Sequence, residues 1–239
     1  MRVLISHHKL AGVANHGRSV ETLKRIAAAM EKQPVSIDCY PYNASSTVLR
    51  PEFVARASSV LVSWSQAMPH YAGRTLSDVA AELGCTDEEA AAQLMPAGAI
   101  YFMMDETDVR RILAFPKTMV GSDGMPHDEH PHPRLWGTFP RVLGHYAREE
   151  KLFSLETAVH KMSGLTAQEL GLAGRGWVAE GMAADLVLFD PATVNDRASF
   201  AEPRALSAGI DKVWVNGRLA FADGALQDEH AGRVIRRGD

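Results

Sequence analysis

Among the 239 residues of this chain, the one best suited by type and setting to move a proton is a lone aspartate that follows a short apolar run. Thr118-Met119-Val120 leads through Gly121 and Ser122 to Asp123, and then into a stretch crowded with His, Asp and Pro. A carboxylate delivered to the C-terminal rim of a buried parallel strand can accept and return a proton where (β/α) enzymes assemble their reacting groups. Asp-Gly is also an ordinary turn dipeptide, so Asp123 alone decides nothing. Two other strand ends carry polar groups: His7 and His8 follow the apolar run that starts at Val3, and Tyr40 ends the run that starts at Val35. Successive βα units that each present a functional group at one rim point to an active site. Side chains alternate along a strand, so only one of His7 and His8 is expected to face that rim. A neutral imidazole there is a metal-ligand type.

Other residues invite chemistry less strongly. His127, His130 and His132 share a Pro-rich loop with Asp128 and Glu129; such a loop does not hold tight ligand geometry unaided, so they are expected to lie outside any metal set. Cys39 falls inside a strand with no evident cation to lower its pKa, and reads as core. Tyr101, Phe102, Met103 and Met104 form an apolar patch that suits either the core or the wall of an apolar substrate pocket. The chain has no GxSxG, phosphate loop or dinucleotide fingerprint, so serine hydrolase, NTPase and dehydrogenase chemistries lack their first requirement.

The elements that must position these residues follow from pattern. Val3 to Ser6 is a buried-strand run, Val20, Leu23, Ile26, Ala27 and Met30 recur at helical spacing behind a possible Ser19 cap, and Val35 to Tyr40 is a second strand. That order is a βαβ unit with a parallel crossover. From Arg50 to Phe115 the pattern is less regular, with a short strand at Val60 to Ser63 and helices at Leu76 to Leu83, Asp87 to Leu94 and Glu106 to Ala114; Ser45-Ser46 reads as a turn. Thr118 to Ser122 is a third strand, and Ser154 to Ala173 is helical throughout, with Ser154 as cap. Beyond Ala173 the vocabulary is β: Ala184 to Asp190, then Val213 to Phe221 around an Asn216-Gly217 turn. We therefore expect an α/β unit over residues 1–172 and a β-rich segment over 173–239. The uncapped strand immediately after Met1-Arg2 suggests a chain that starts inside a fold.

Composition narrows the partners. A formal net charge of -4, with Lys and Arg scattered, gives no footprint for nucleic acid or an anionic membrane surface. No apolar run reaches the ~18 to 20 residues of a membrane helix. Two cysteines, Cys39 and Cys85, do not make a disulfide framework and suit a cytoplasmic protein.

The segments SHHK, GRSVETL, DCYPYNASST, PAGAIYFMMDE, GSDG, PHPRLWGTFPRVLGHYAR and ADLVLFDPATV, taken in order, resemble the carboxy-terminal half of N-acyl-D-amino-acid deacylases of the amidohydrolase superfamily, from about Val3 to Arg237. The resemblance implies the end of a zinc-bearing (β/α)8 barrel, with Val3 to His7, Val35 to Tyr40 and Thr118 to Ser122 as its sixth, seventh and eighth strands, followed by a small β-sandwich segment. It implies that His7 approaches the metal centre and that Asp123 is both a metal neighbour and the general base and acid. Lys9, Tyr40 and Ser46 match positions near the substrate's carboxylate and scissile amide, and Tyr101 and Met104 match the pocket for its side chain. The implied reaction is zinc-dependent hydrolysis of an N-acyl-D-amino acid to a carboxylate and a free D-amino acid.

The first-strand His-x-His, the mid-barrel cysteine and the fifth-strand histidine of that family have no counterpart in this chain. A catalytic zinc usually takes three protein ligands, so His7 and Asp123 are not expected to hold one tightly without a complementing amino-terminal half. The reading from a different class is a non-catalytic remnant that pairs its open barrel edge with another chain, or with itself.

Overall fold

The computed structural model describes residues 2–227 and 230–236, so Arg237, the far limit of the resemblance, lies outside the described residues. Three parallel strands organise the first part: β1 (Val3–Ile5), β2 (Val35–Cys39) and, much later, β6 (Thr118–Val120), in the order β1-β2-β6. Val3 pairs with Val35 and Ile5 with Ile37, while Ile37 pairs with Thr118 and Cys39 with Val120. β2 and β6 are almost wholly buried, as strands of a parallel sheet covered on both faces are, and in β2 the burial extends to the polar Ser36 and Asp38. β1 is an edge strand with Leu4 exposed, and it ends two residues earlier than the expected Val3 to His7 because Ser6 and His7 form a turn.

The crossover from β1 to β2 is α1 (Ser19–Met30), which buries Leu23 and Ile26 and packs on β2. Ser19 does not cap it. A carboxylate from another helix does: Asp108, 1% exposed, accepts the Gly17 and Ser19 amides at 2.7 and 3.1 Å. Asp108 belongs to α5 (Glu106–Ala114), which leads into β6 and packs on α1. A negative charge at a helix start satisfies its free N–H groups and opposes the positive end of its dipole.

Between β2 and α5 lies an antiparallel sheet that sequence reading reduced to one short strand. β3 (Ala44–Val48), β4 (Ser59–Ser65) and β5 (Ala97–Phe102) are ordered β3-β5-β4, with α2 (Pro51–Val54), α3 (Leu76–Leu83) and α4 (Asp87–Leu94) in the connections. The expected turn at Ser45-Ser46 is strand, with Ser46 opposite Ile100. β5 is covered on both faces and so lacks the alternation that marks a half-exposed strand. Gly98 within it permits this packing, since a Cβ there would overlap the Trp64 indole. Thr75 and the Thr86/Glu89 pair cap α3 and α4 as side-chain acceptors.

After β6, α6 (Arg134–Arg141) runs into a π-helical turn at Val142–Glu149, and α7 (Leu155–Met162), capped by Ser154, and α8 (Gly164–Leu170) follow. The expected continuous helix from Ser154 to Ala173 is broken at Ser163, whose φ of -129° and ψ of -79° are not helical. β7 (Leu186–Phe189), β8 (Ile210–Val215), β9 (Arg218–Ala222) and β10 (Ala225–Leu226) then form an antiparallel sheet ordered β10-β9-β8-β7. Asn216 and Gly217 turn β8 into β9 with φ of 50° and 79°, the doubly positive geometry that Asn-Gly hairpins supply. One large apolar cluster joins the two early sheets and their helices, from Leu23, Ile37 and Val62 to Leu113, Val142 and Val194.

Candidate active site

The strand ends, the start of β3 and the head of α6 enclose a cavity of about 230 Å³ whose lining includes Lys9, Tyr40, Ser46, Met103, Asp123 and Arg134. Asp123 reaches it because the chain stays tied to β2 for one residue past β6, through Gly121 N–H to the Cys39 carbonyl at 3.0 Å, and then to α6 through the Ser122 hydroxyl donating to the Arg134 carbonyl at 2.8 Å. Gly124, at φ 142°, donates its N–H to Asp123 Oδ1 at 2.8 Å, and a Cβ there would sit 2.7 Å from Leu135 Cγ. The other oxygen, Oδ2, is 2.8 Å from Arg134 Nη2. Asp123 keeps about a third of its surface open to solvent, so it remains reachable.

Arg134 escaped sequence reading, although it stands inside the PHPRLWG segment. Its side chain is 1% exposed, with Cζ 4.4 Å from the Tyr40 ring centroid and Nη2 also 3.4 Å from the Ser46 carbonyl. Nε and Nη1 make no hydrogen bond, and neither do the buried Tyr40 and Ser46 hydroxyls, although all three residues line the cavity. A buried guanidinium with two unpaired nitrogens carries a heavy desolvation cost unless something offsets it. Lys9 adds a second cation, its Nζ 5.2 Å from the Tyr40 ring. Burial, and then the Arg134 charge, lower the Lys9 pKa, while Asp123 and Asp38 pull it back up. Two cations and two hydroxyls facing one carboxylate make a site short of negative charge. The Tyr40 phenol is pushed up by burial, against the pull of Arg134, and stays protonated as a donor.

His7 and His8 are separated by a turn, not by strand alternation. His7 has φ 55°, in the left-handed region that side chains rarely adopt. Its N–H donates to Asp38 Oδ1 at 2.8 Å and that of His8 to the Asp38 carbonyl at 2.7 Å. The His7 ring lies 5.9 Å from that of Tyr40, but His7 is not among the residues that line the cavity. His8 turns to α1, its Nε2 3.1 Å from Thr22 Oγ1, and burial followed by the Lys9 charge lowers its pKa.

Tyr101 and Met104 do not line this cavity. Tyr101 is fully buried, its hydroxyl donating to the Val48 carbonyl at 3.1 Å and accepting the Arg50 N–H at 2.8 Å, so it ties β5 to the end of β3. Met104 faces a small space beside His8 and Cys39 instead, and Met103 and Phe53 supply the apolar wall. Among the loop histidines, His130 Nε2 meets the Phe200 carbonyl at 2.7 Å and His132 is buried among aromatic rings. Cys39 is core, and burial raises its pKa.

Among the described residues no group of three or more His, Cys, Asp or Glu is placed to hold a metal ion. His7 and Asp123 are two donors, and Asp123 is already engaged by Arg134 and Gly124. The residues of this chain alone do not fit a complete catalytic zinc site. No helix among the described residues is long and apolar enough to cross a membrane.

Comparison with known proteins gives this geometry a setting. The profile of the amidohydrolase family matches residues 3–221. The chain is 58% identical to D-aminoacylase of Alcaligenes xylosoxydans xylosoxydans over 98% of its own length and 49% of that protein, and 54% identical to N-acyl-D-aspartate deacylase of the same organism over 100% and 48%. It thus spans about half the length of the curated relatives it matches. Among solved structures, a D-aminoacylase described by the role of its binuclear metal centre superposes with a TM-score of 0.96 at 57% identity, over 99% of this chain and 50% of that one. The N-acyl-D-glutamate deacylase of Bordetella bronchiseptica, complexed with zinc and a phosphonate inhibitor that mimics the tetrahedral intermediate, gives a TM-score of 0.91 at 48% identity over 94% and 48%.

Proposed function

This chain belongs to the amidohydrolase family, and from that premise we propose that it carries the carboxylate-recognition and proton-transfer groups of a zinc-dependent hydrolase of N-acyl-D-amino acids. The observation that carries this reading is that Lys9, Tyr40, Ser46 and Arg134, the last with two buried nitrogens lacking a hydrogen bond, line one cavity together with Asp123. An N-acyl amino acid brings one carboxylate and one amide to such a site. Arg134 and Lys9 hold the carboxylate, with the arginine fork suited to two parallel hydrogen bonds. Tyr40 and Ser46 orient the acyl group, and Met103 and Phe53 face the side chain.

Asp123 takes a proton from the water whose oxygen bonds to the acyl carbon, and returns it to nitrogen as the C–N bond breaks. A carboxylate and a free D-amino acid leave. A zinc ion bound at such a site would polarise the acyl carbonyl and activate the water; His7 is the donor this chain would offer it, and the others would have to come from an amino-terminal half of the kind the relatives' length includes. We read residues 1–172 as the carboxy-terminal part of a (β/α)8 barrel, with β1, β2 and β6 as its sixth to eighth strands, and 173–239 as part of a β-sandwich. The two free thiols suit a cytoplasmic location.

The test is release of free D-amino acid, measured with a D-amino-acid oxidase couple, from N-acetyl-D-leucine and N-acetyl-D-aspartate by a protein of the relatives' full length that contains this chain. Turnover that Arg134→Met abolishes supports the assignment. Equal turnover of the L-enantiomers, or indifference to Arg134→Met, rejects it.

A further inference from the structure

We infer that His132 is a positioning residue for carboxylate recognition, a neutral imidazole that ties the two walls of the cavity together. The inference rests on the reading of that cavity as a carboxylate site. His132 is 1% exposed, and its two ring nitrogens meet two different elements. Nδ1 lies 3.0 Å from the backbone nitrogen of Arg134, and Nε2 lies 3.0 Å from the Ala44 carbonyl at the start of β3. An amide N–H only donates, so Nδ1 accepts and carries no proton; the proton sits on Nε2 and is donated to Ala44. One ring thereby fixes the residue that brings the guanidinium and the strand that, two residues on, brings Ser46.

The ring plane is itself held. Tyr42 and Phe200 meet it edge-on with centroids 5.2 and 5.1 Å away, at 88° and 71°. The orientation matters because the guanidinium is held on one nitrogen only: Nη2 reaches Asp123 and the Ser46 carbonyl, while Nε and Nη1 are buried without a hydrogen bond. A shift of the Arg134 backbone relative to β3 would move the fork against the Ser46 and Tyr40 hydroxyls and spoil a bidentate geometry that tolerates little displacement. A phenyl ring in the same place would keep the packing and lose both ties.

The experiment uses the 239-residue chain and calorimetric binding of N-acetyl-D-leucine beside its carboxamide, which lacks the charge that Arg134 and Lys9 would hold. Wild type should prefer the acid. In His132→Phe, with circular dichroism confirming the fold, affinity for the acid should fall about tenfold, the scale of one or two lost hydrogen bonds, while affinity for the amide stays within twofold. His132→Gln, which keeps a donor toward Ala44, should fall between. Loss of affinity for acid and amide alike, in His132→Phe or in His132→Gln should the phenyl variant fail to fold, would make His132 a packing residue and overturn the inference. Retention of the wild-type preference by both variants would do the same. A wild-type chain that shows no preference for the acid would instead reject the carboxylate site itself.

Discussion

Asp38 holds two consecutive amides of the turn that ends β1, the His7 N–H on its carboxylate at 2.8 Å and the His8 N–H on its carbonyl at 2.7 Å. The turn needs such a clamp because His7 sits at φ 55°, a conformation that costs a residue with a side chain on the order of 1 to 3 kcal/mol. Two stability changes should follow in urea unfolding. Asp38→Ala strands the His7 N–H and should cost about 1 to 3 kcal/mol, whereas His7→Gly should be at least as stable as His7→Ala because glycine adopts this φ without strain. A glycine variant clearly less stable than the alanine variant would show that the turn is not strained.

The parallel strands were legible in the sequence because each is a short, β-rich run too brief for a helix and bounded by polar, Gly or Pro residues. The turn at His7 was not, because pattern carries no dihedral angles, and the separation of His7 from His8 therefore looked like alternation. Strands β3 and β5 were hidden for a different reason: β5 is apolar on both faces, and the Ala-Ser-Ser-Thr of β3 is turn vocabulary until a partner strand exists for its backbone. Tyr101 was legible as buried but not as a tie to Val48 and Arg50, since its hydroxyl partners are backbone atoms about fifty residues away in sequence. Arg134 was the costliest omission. A buried arginine announces itself only through the charge and hydroxyls around it, which come from β2, β3 and the loop after β6.

Asp123→Asn should keep the fold, because the amide is nearly isosteric and can still accept from Gly124, and should lower turnover about 10² to 10⁴-fold in the full-length protein. Binding of N-acetyl-D-leucine should change far less than turnover, since Arg134 and Lys9 remain. Single-turnover kinetics separate the two. Near-normal turnover would remove Asp123 from the proton transfer.

The acid side of the stability curve should carry a signature of His132. Burial and the adjacent Arg134 charge lower its folded pKa well below the ordinary value of 6.5. The unfolded chain therefore binds more protons than the folded one below about pH 6.5, so the stability present above that pH declines as the pH falls toward the depressed folded value. Replacing the ring by Phe removes that decrement. Melting temperatures recorded from pH 7.5 down to 4.5 should fall less steeply for His132→Phe than for wild type, and parallel curves would show that the ring does not resist protonation.

Lys161 predicts the opposite end of the curve. It is 2% exposed beneath β6, its Nζ donating to the Phe115 and Thr118 carbonyls at 2.6 and 3.2 Å, and burial lowers its pKa to about 8 despite an opposing pull from Cys39. Between about pH 8 and its ordinary value of 10.5 the unfolded chain holds more protons, so stability from this group should rise across that window as the folded ammonium is relieved of its charge. Lys161→Met should lack the rise. Urea unfolding of both proteins at pH 7, 8.5 and 10 makes the comparison, and an identical slope would mean that the ammonium is better solvated than its burial implies.

Self-association of the 239-residue chain follows from what the sheets leave open. In β7, Leu186, Val187 and Leu188 are exposed, Leu226 of β10 is 85% exposed, and among the described residues β1 and β6 each have only β2 as a strand neighbour. Exposed apolar strands with unpaired edges are templates for further pairing. Sedimentation of the purified chain at micromolar concentration should therefore show dimers or larger species, with zinc well below one per chain after dialysis. On the reading proposed above, mixing with the amino-terminal half of the D-aminoacylase relative should shift the distribution to a one-to-one complex, raise the zinc content toward stoichiometry and bring zinc-dependent release of D-amino acid, because that half would close the barrel and complete the ligand set. A monodisperse monomer that holds stoichiometric zinc and hydrolyses N-acetyl-D-amino acids by itself would reverse this assignment. It would require donors such as His127 or His130 to swing from the Pro-rich loop into the set begun by His7 and Asp123.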